Sequence, residues 1–252
     1  MCVGVIILSS VMCPMQQMSV IIGRVEFLQI ICKINEIYVM IKVVFGFREY
    51  FCKFVALTRY IYTHLLLMND TKGQFEHIIG ICRDLFVKKL HDYGASWRIM
   101  RPESITDQIF IKAKRIRNLE IKKVSQVGEG VYPEFVGIVN YGIVGLIQLD
   151  MGFASTVDIS IDQAVALYDK FMDKTKELML KKNADYDEAW RDMRINSYTD
   201  LILTKIQRTK QIEDHHGTTI VSEGVDANYM DMVNYSIFAL IKLEYGECND
   251  AK

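Results

Sequence analysis

From residue 72 onward the apolar positions recur with helical spacing. In 104–120, residues 105, 109, 112, 116 and 119 follow the 4-3-4-3 interval of a helix with one buried stripe, and 198, 202, 205, 209 and 212 repeat that interval in 197–213. The stretches 133–149 and 227–244 are apolar nearly all round, from Phe135 to Leu149 and from Met230 to Leu243, which predicts two central, buried helices. Longer stretches at 72–91 and 160–183 complete six predicted helices. No period-2 alternation long enough for a strand interrupts them.

The six helices form two sets of three. A shift of 93 places Tyr93 on Tyr186, Trp97 on Trp190, Arg98 on Arg191, Arg101 on Arg194, Lys112 on Lys205 and Arg115 on Arg208. After one inserted residue the shift becomes 94, so that Glu129-Gly130-Val131 meets Glu223-Gly224-Val225 and Asn140-Tyr141 meets Asn234-Tyr235. A register held over some 70 residues marks an internal duplication. The expected fold is therefore all-α: a helical bundle built from two pseudo-symmetric three-helix repeats, 68–152 and 153–252, packed as one compact domain.

Composition changes the picture only at the N-terminus. The 252 residues are 50% hydrophobic and 24% charged with a formal net charge of −1, ordinary globular material with no overall pull toward nucleic acid or an anionic membrane. Residues 1–67 differ: Arg24, Lys33, Lys42, Arg48, Lys53 and Arg59 against Glu26, Glu36 and Glu49 leave that stretch at +3, and four of the six cysteines lie in it. A secretory signal would want basic residues ahead of Val3–Leu8, and a membrane anchor would want about 20 uninterrupted apolar residues. We read 1–67 as an apolar extension outside the working protein, with Met68 and the helix-start residues Asn69, Asp70 and Thr71 opening the fold. The six cysteines never form C-x-x-C, so a reducing, cytoplasmic setting is expected.

Candidate chemistry sits where polar residues interrupt apolar patterns. Lys112 and Lys205 fall on the buried stripes, each followed three residues later by Arg115 or Arg208; these cations either bind phosphate or neutralise buried carboxylates, or the lysines run their stems out to solvent. Both lysines are expected at the interface of the second and third helices. Asn140, Asn234 and the following Tyr141 and Tyr235 lie in the apolar third helices and need hydrogen-bond partners. Asp231 stands where the first copy has Gly137, an asymmetry expected of a duplicated unit that keeps one working site, here in the second copy; a buried Asp231 pair with Lys205 or Arg208 is the structural alternative. Glu223 and Asp226, with Asp231, are the candidate Mg²⁺ ligands, although acids at a helix start also complement its dipole. In the loops, Trp97 with Arg101, and Tyr186 and Trp190 with Arg194, offer a stacking plate and phosphate forks, or alternatively staple the loops to the bundle. Motifs of nucleophilic hydrolases, P-loop and dinucleotide-binding proteins, and zincins are absent from the sequence, which sets those classes aside.

At Cys82-Arg83-Asp84-Leu85-Phe86, Asp92-Tyr93-Gly94, Trp97-Arg98-Ile99-Met100-Arg101-Pro102, Thr106–Ile116, Glu129-Gly130 and Phe135–Tyr141 the sequence resembles the nucleotide modification associated domain of type 1, a bacterial and phage family. The resemblance covers about residues 70–245 as two tandem copies and implies a link to nucleotides without a specified reaction. A weaker likeness, of architecture only, is to all-α NTP pyrophosphatases of the MazG and dimeric dUTPase type, echoed by Glu223-x-x-Asp226. Two expectations follow: a nucleotide-associated protein, Mg²⁺-dependent and hydrolase-like or a modification factor, whose partner is a nucleotide or small phosphate-bearing ligand; or a non-catalytic nucleotide- or protein-binding helical module.

Overall fold

The computed structural model describes residues 70–123, 128, 130–221 and 223–246; the apolar extension 1–67 and Glu129 lie outside the described residues. Six α-helices occur among them: α1 (Thr71–Tyr93), α2 (Pro102–Lys122), α3 (Tyr132–Met151), α4 (Ile161–Tyr186), α5 (Ile195–Asp214) and α6 (Val225–Tyr245). Single 3₁₀ turns, Ser96–Ile99 and Ala189–Asp192, follow α1 and α4, and no strand occurs among the described residues. Local chemistry sets the boundaries. Asp70 caps α1 by accepting from the Lys72 N–H at 3.2 Å, Ser160 and Gln163 close a reciprocal capping box on α4, and prolines stand in the first turns of α2 and α3, where their missing N–H costs nothing.

Each helix meets its own counterpart across a pseudo-two-fold axis, and side chains 93 apart exchange roles to hold the pairs. Between α1 and α4, Arg83 grips Asp169 at 2.7 Å, and the equivalent pair, Lys176 and Glu76, stands at 3.6 Å. Between α2 and α5, Arg117–Asp200 at 3.2 Å mirrors Lys210–Asp107 at 2.5 Å, and the Thr199 hydroxyl donating to Glu120 at 2.8 Å mirrors Thr106 donating to Glu213 at 2.6 Å. The register of 93 therefore holds to the end of α2 and α5, which puts the inserted residue in the following loop.

The pairing of α3 with α6 is the most extensive in the bundle. It depends on close backbone approach: a Cβ at Gly142 would lie 2.5 Å from Val233, and one at Gly145 would lie 2.8 Å from the Tyr229 ring. Their repeat partners are Ser236 and Ala239, so small residues occupy the crossing from both sides. Buried Phe135, Ile138, Val139, Ile143 and Ile147 of α3 face Tyr229, Val233, Ile237 and Leu240 of α6 in one continuous core. Among the described residues, α3 alone is long and apolar enough to cross a membrane, and most of its apolar window is buried inside the bundle.

Candidate functional site

The loops that carry the tryptophans are fixed by arginine. Arg98, only 2% exposed, forks onto Asp158 at 2.7 and 3.0 Å and donates to the Gly152 carbonyl at 2.6 Å and to Gln148. That hydrogen bonding holds the Asp158 carboxyl below its ordinary pKa. Gln148 in turn donates to the carbonyls of Arg98 at 3.1 Å and Met100 at 2.6 Å. In the second repeat Arg191 stacks on Trp190 with its guanidinium 4.4 Å from the ring, and bonds Glu188, Thr71 and Gln74. Lys242, the equivalent of Gln148, donates to the Arg191 carbonyl at 2.6 Å and to that of Met193. Sequence reasoning missed this pair; its signal was a polar residue at matching positions of two otherwise apolar helices.

The lysines on the buried stripes find acids, but differently in each repeat. In the second, the Asp231 carboxylate is 4% exposed and spanned by two ammonium groups, Lys205 at 2.6 Å on one oxygen and Lys182 at 2.7 Å on the other. Burial opposes the charge on Lys182, yet the hydrogen bond and charge of Asp231 outweigh it and hold the lysine above its ordinary pKa. Burial, with Asp231 beside it, also raises the Tyr235 phenol. In the first repeat the Lys112 stem lies across Gly137, where an added Cβ would meet its Cε at 2.6 Å, and the ammonium reaches Glu134 at 3.3 Å while Arg115 takes the other Glu134 oxygen. Glu134 is matched by Asn228. Each repeat thus supplies one acid for its lysine, displaced by one helical turn.

The asparagines are also partnered in parallel. Asn140 donates to the Cys82 carbonyl at 3.1 Å and Asn234 to the equivalent Thr175 carbonyl at 3.3 Å. Tyr168 donates to Asn140 Oδ1 at 2.8 Å, whereas Phe75 occupies the matching place and Asn234 Oδ1 is buried without a partner.

The three acids expected to hold Mg²⁺ are not gathered. Glu223 and Asp226 are exposed, both Asp231 oxygens are engaged by lysine, and among the described residues no group of three His, Cys, Asp or Glu side chains is placed to hold a cation. Arg101 and Tyr186 are exposed, the latter 70% exposed, and the exposed Arg194, at the N-terminus of α5, lines one open groove with Trp190. Arg208 and Glu223 share an open groove with Lys205 and His215.

What the structure does bring together is Trp97, Lys112, Asn140 and Tyr141, with Gly137 and the exposed Lys89, around a cavity of about 140 Å³ in the first repeat. Cavities of roughly 150 Å³ accept one benzene-sized ring. Trp97 is buried in its wall, and its indole N–H has no hydrogen-bond partner. In the second repeat the Trp190 N–H donates to Asn183 at 3.0 Å, and the residue matching Asn183 is Leu90. The cavity is therefore lined by aromatic side chains and two lysines, with an unpartnered indole N–H buried in the Trp97 that walls it, a set able to bind a flat, acceptor-bearing anion.

No curated protein and no solved structure matches the chain. Residues 89–149 and 182–243 each match the family described as nucleotide modification associated domain 1, and those segments hold both tryptophans, both stripe lysines and both asparagines, so the chain carries two tandem copies of that domain.

Proposed function

We propose that this protein binds a nucleotide in its first repeat and holds it without hydrolysing it. The observation that carries the reading is the ring-sized cavity walled by Trp97, whose buried N–H lacks an acceptor, and lined also by Lys89 and Lys112. An unsatisfied buried donor costs about 1–3 kcal/mol, a cost that a ring nitrogen or carbonyl of a base removes. Lysine meets phosphate as a compact point charge. The family's association with nucleotide modification narrows the ligand from any aromatic anion to a nucleotide. Hydrolysis through Mg²⁺ draws no support from Glu223, Asp226 and Asp231 as they are arranged. A reducing cytoplasm is in keeping with Cys82, the free cysteine among the described residues, whose burial pushes its thiol up to about 12.

The test is calorimetric titration of the full chain with nucleoside mono- and triphosphates, with chromatography of the recovered nucleotide. A saturable complex returning intact nucleotide is the expected result. Absence of binding, or conversion of the nucleotide, would overturn the proposal.

A further inference from the structure

Three of the differences between the repeats around their tryptophans point the same way. Val144 of the first repeat is Phe238 in the second, where the Phe238 ring stacks on Trp190 with centroids 4.4 Å apart and planes 12° apart. Gly137 becomes Asp231, whose carboxylate lies between Lys182 and Lys205. Leu90 becomes Asn183, which accepts from the Trp190 N–H. The residues matching Lys182 and Lys205 are Lys89 and Lys112, both lining the first-repeat cavity. Among the described residues the ring that meets Trp97 is Phe86, tilted 37° at 6.4 Å, so no parallel ring covers its face.

We infer that the second repeat supplies from its own side chains the groups that the first repeat takes from a ligand: a flat ring against the tryptophan, an acceptor for its N–H, and one anion between two lysines. The second site is closed by Phe238, Asn183 and Asp231; the first is open because Val144, Leu90 and Gly137 stand in their places. This deepens the nucleotide-binding reading and rests on it for the identity of the ring. Asp231 and Phe238 are seven residues apart on one helix, roughly 10 Å along the axis at 1.5 Å per residue. Ring and anion therefore belong to opposite ends of one molecule with a spacer between them, as base, sugar and phosphate do. A single carboxylate satisfies both lysines of the second repeat, so the ligand class is a nucleoside monophosphate, with its base in the cavity and its phosphate at Lys89 and Lys112 over Gly137. Binding draws Lys112 from Glu134, which keeps Arg115.

The experiment exchanges the two repeats' residues in the full chain. Gly137→Asp writes the second repeat's carboxylate into the first; its Cβ displaces only the mobile end of Lys112, and a helix gains from losing glycine. The probes are the four nucleoside monophosphates, the matching triphosphates and 6-phenylhexanoate, whose ring and carboxylate are separated by a chain, followed by calorimetry. Wild type should bind a monophosphate at one site per chain, and Gly137→Asp should weaken it about tenfold or more without lowering the melting temperature, the loss of one charge-assisted contact. Asp231→Gly combined with Phe238→Val should raise the stoichiometry to two; if that variant does not fold, Gly137→Asp and Val144→Phe decide alone. Monophosphate binding unaffected by Gly137→Asp and Val144→Phe, or tighter binding of triphosphates, overturns the inference and leaves nucleotide binding standing. Binding of 6-phenylhexanoate that Gly137→Asp abolishes, with no nucleotide bound, keeps the self-filled repeat and removes the nucleotide. No binding by any probe overturns both.

Discussion

Gln148 and Lys242 occupy one repeat-equivalent position and make one connection with different chemistry: each crosses from a central helix to the carbonyls of its tryptophan loop, Gln148 to Arg98 and Met100, Lys242 to Arg191 and Met193. The first is a neutral amide that can also accept, which Arg98 uses; the second donates only. Gln148→Leu should therefore destabilise the fold by about 1–3 kcal/mol or more, since it strands several buried carbonyls and one guanidinium bond. Urea denaturation measures the change, and a loss below the error of the extrapolation would contradict the staple.

A reciprocal pair of substitutions tests the orphaned oxygen of Asn234. Phe75→Tyr places a hydroxyl where Tyr168 holds one against Asn140, and should stabilise by about 0.5–1.5 kcal/mol through a hydrogen bond to Asn234 Oδ1. Tyr168→Phe removes the first-repeat bond and should cost about 1–3 kcal/mol. Changes of the same sign in the two variants would break the equivalence.

Asp231→Asn keeps the shape and removes the anion that two lysines share. Lys205 is the more buried of the two, so the loss should approach the roughly 3–5 kcal/mol typical of a broken buried pair. Lys205→Met should cost less, because Lys182 still neutralises the carboxylate. Differential scanning calorimetry of both variants gives the order, and a more stable Asp231→Asn protein would show that the cluster is not structural.

Burial raises the Glu213 carboxyl above its ordinary 4.5, against a partly opposing hydrogen bond from Thr106. The folded state thus holds this proton more tightly than the unfolded chain, so the contribution is fully present below pH 4.5 and is lost as pH rises through the raised value. Glu213→Gln removes that slope. The variant should gain stability relative to wild type as pH rises from 4.5 through the raised value, measured as a difference in melting temperature across buffers; a gap independent of pH would refute the assignment.

The six helices, their grouping into two repeats and the central place of α3 and α6 are legible along the chain, because helix periodicity and a 93-residue register are properties of spacing alone. The sequence also placed Lys112 and Lys205 against the third helices, since a cation on an apolar stripe has few places to end. It pointed to Asp231 as the residue that distinguishes the copies, yet the direction of that difference was not legible: an acid in a duplicated unit reads as a retained site until Lys182, from a helix some 50 residues earlier, is seen on its other oxygen. Likewise Trp97 and Trp190 are identical as letters, and only packing separates an indole N–H with an acceptor from one without. Partners of that kind lie across the pseudo-two-fold axis or on other helices, where spacing along the chain carries no record of distance, so only packing shows which indole N–H is met and which is not.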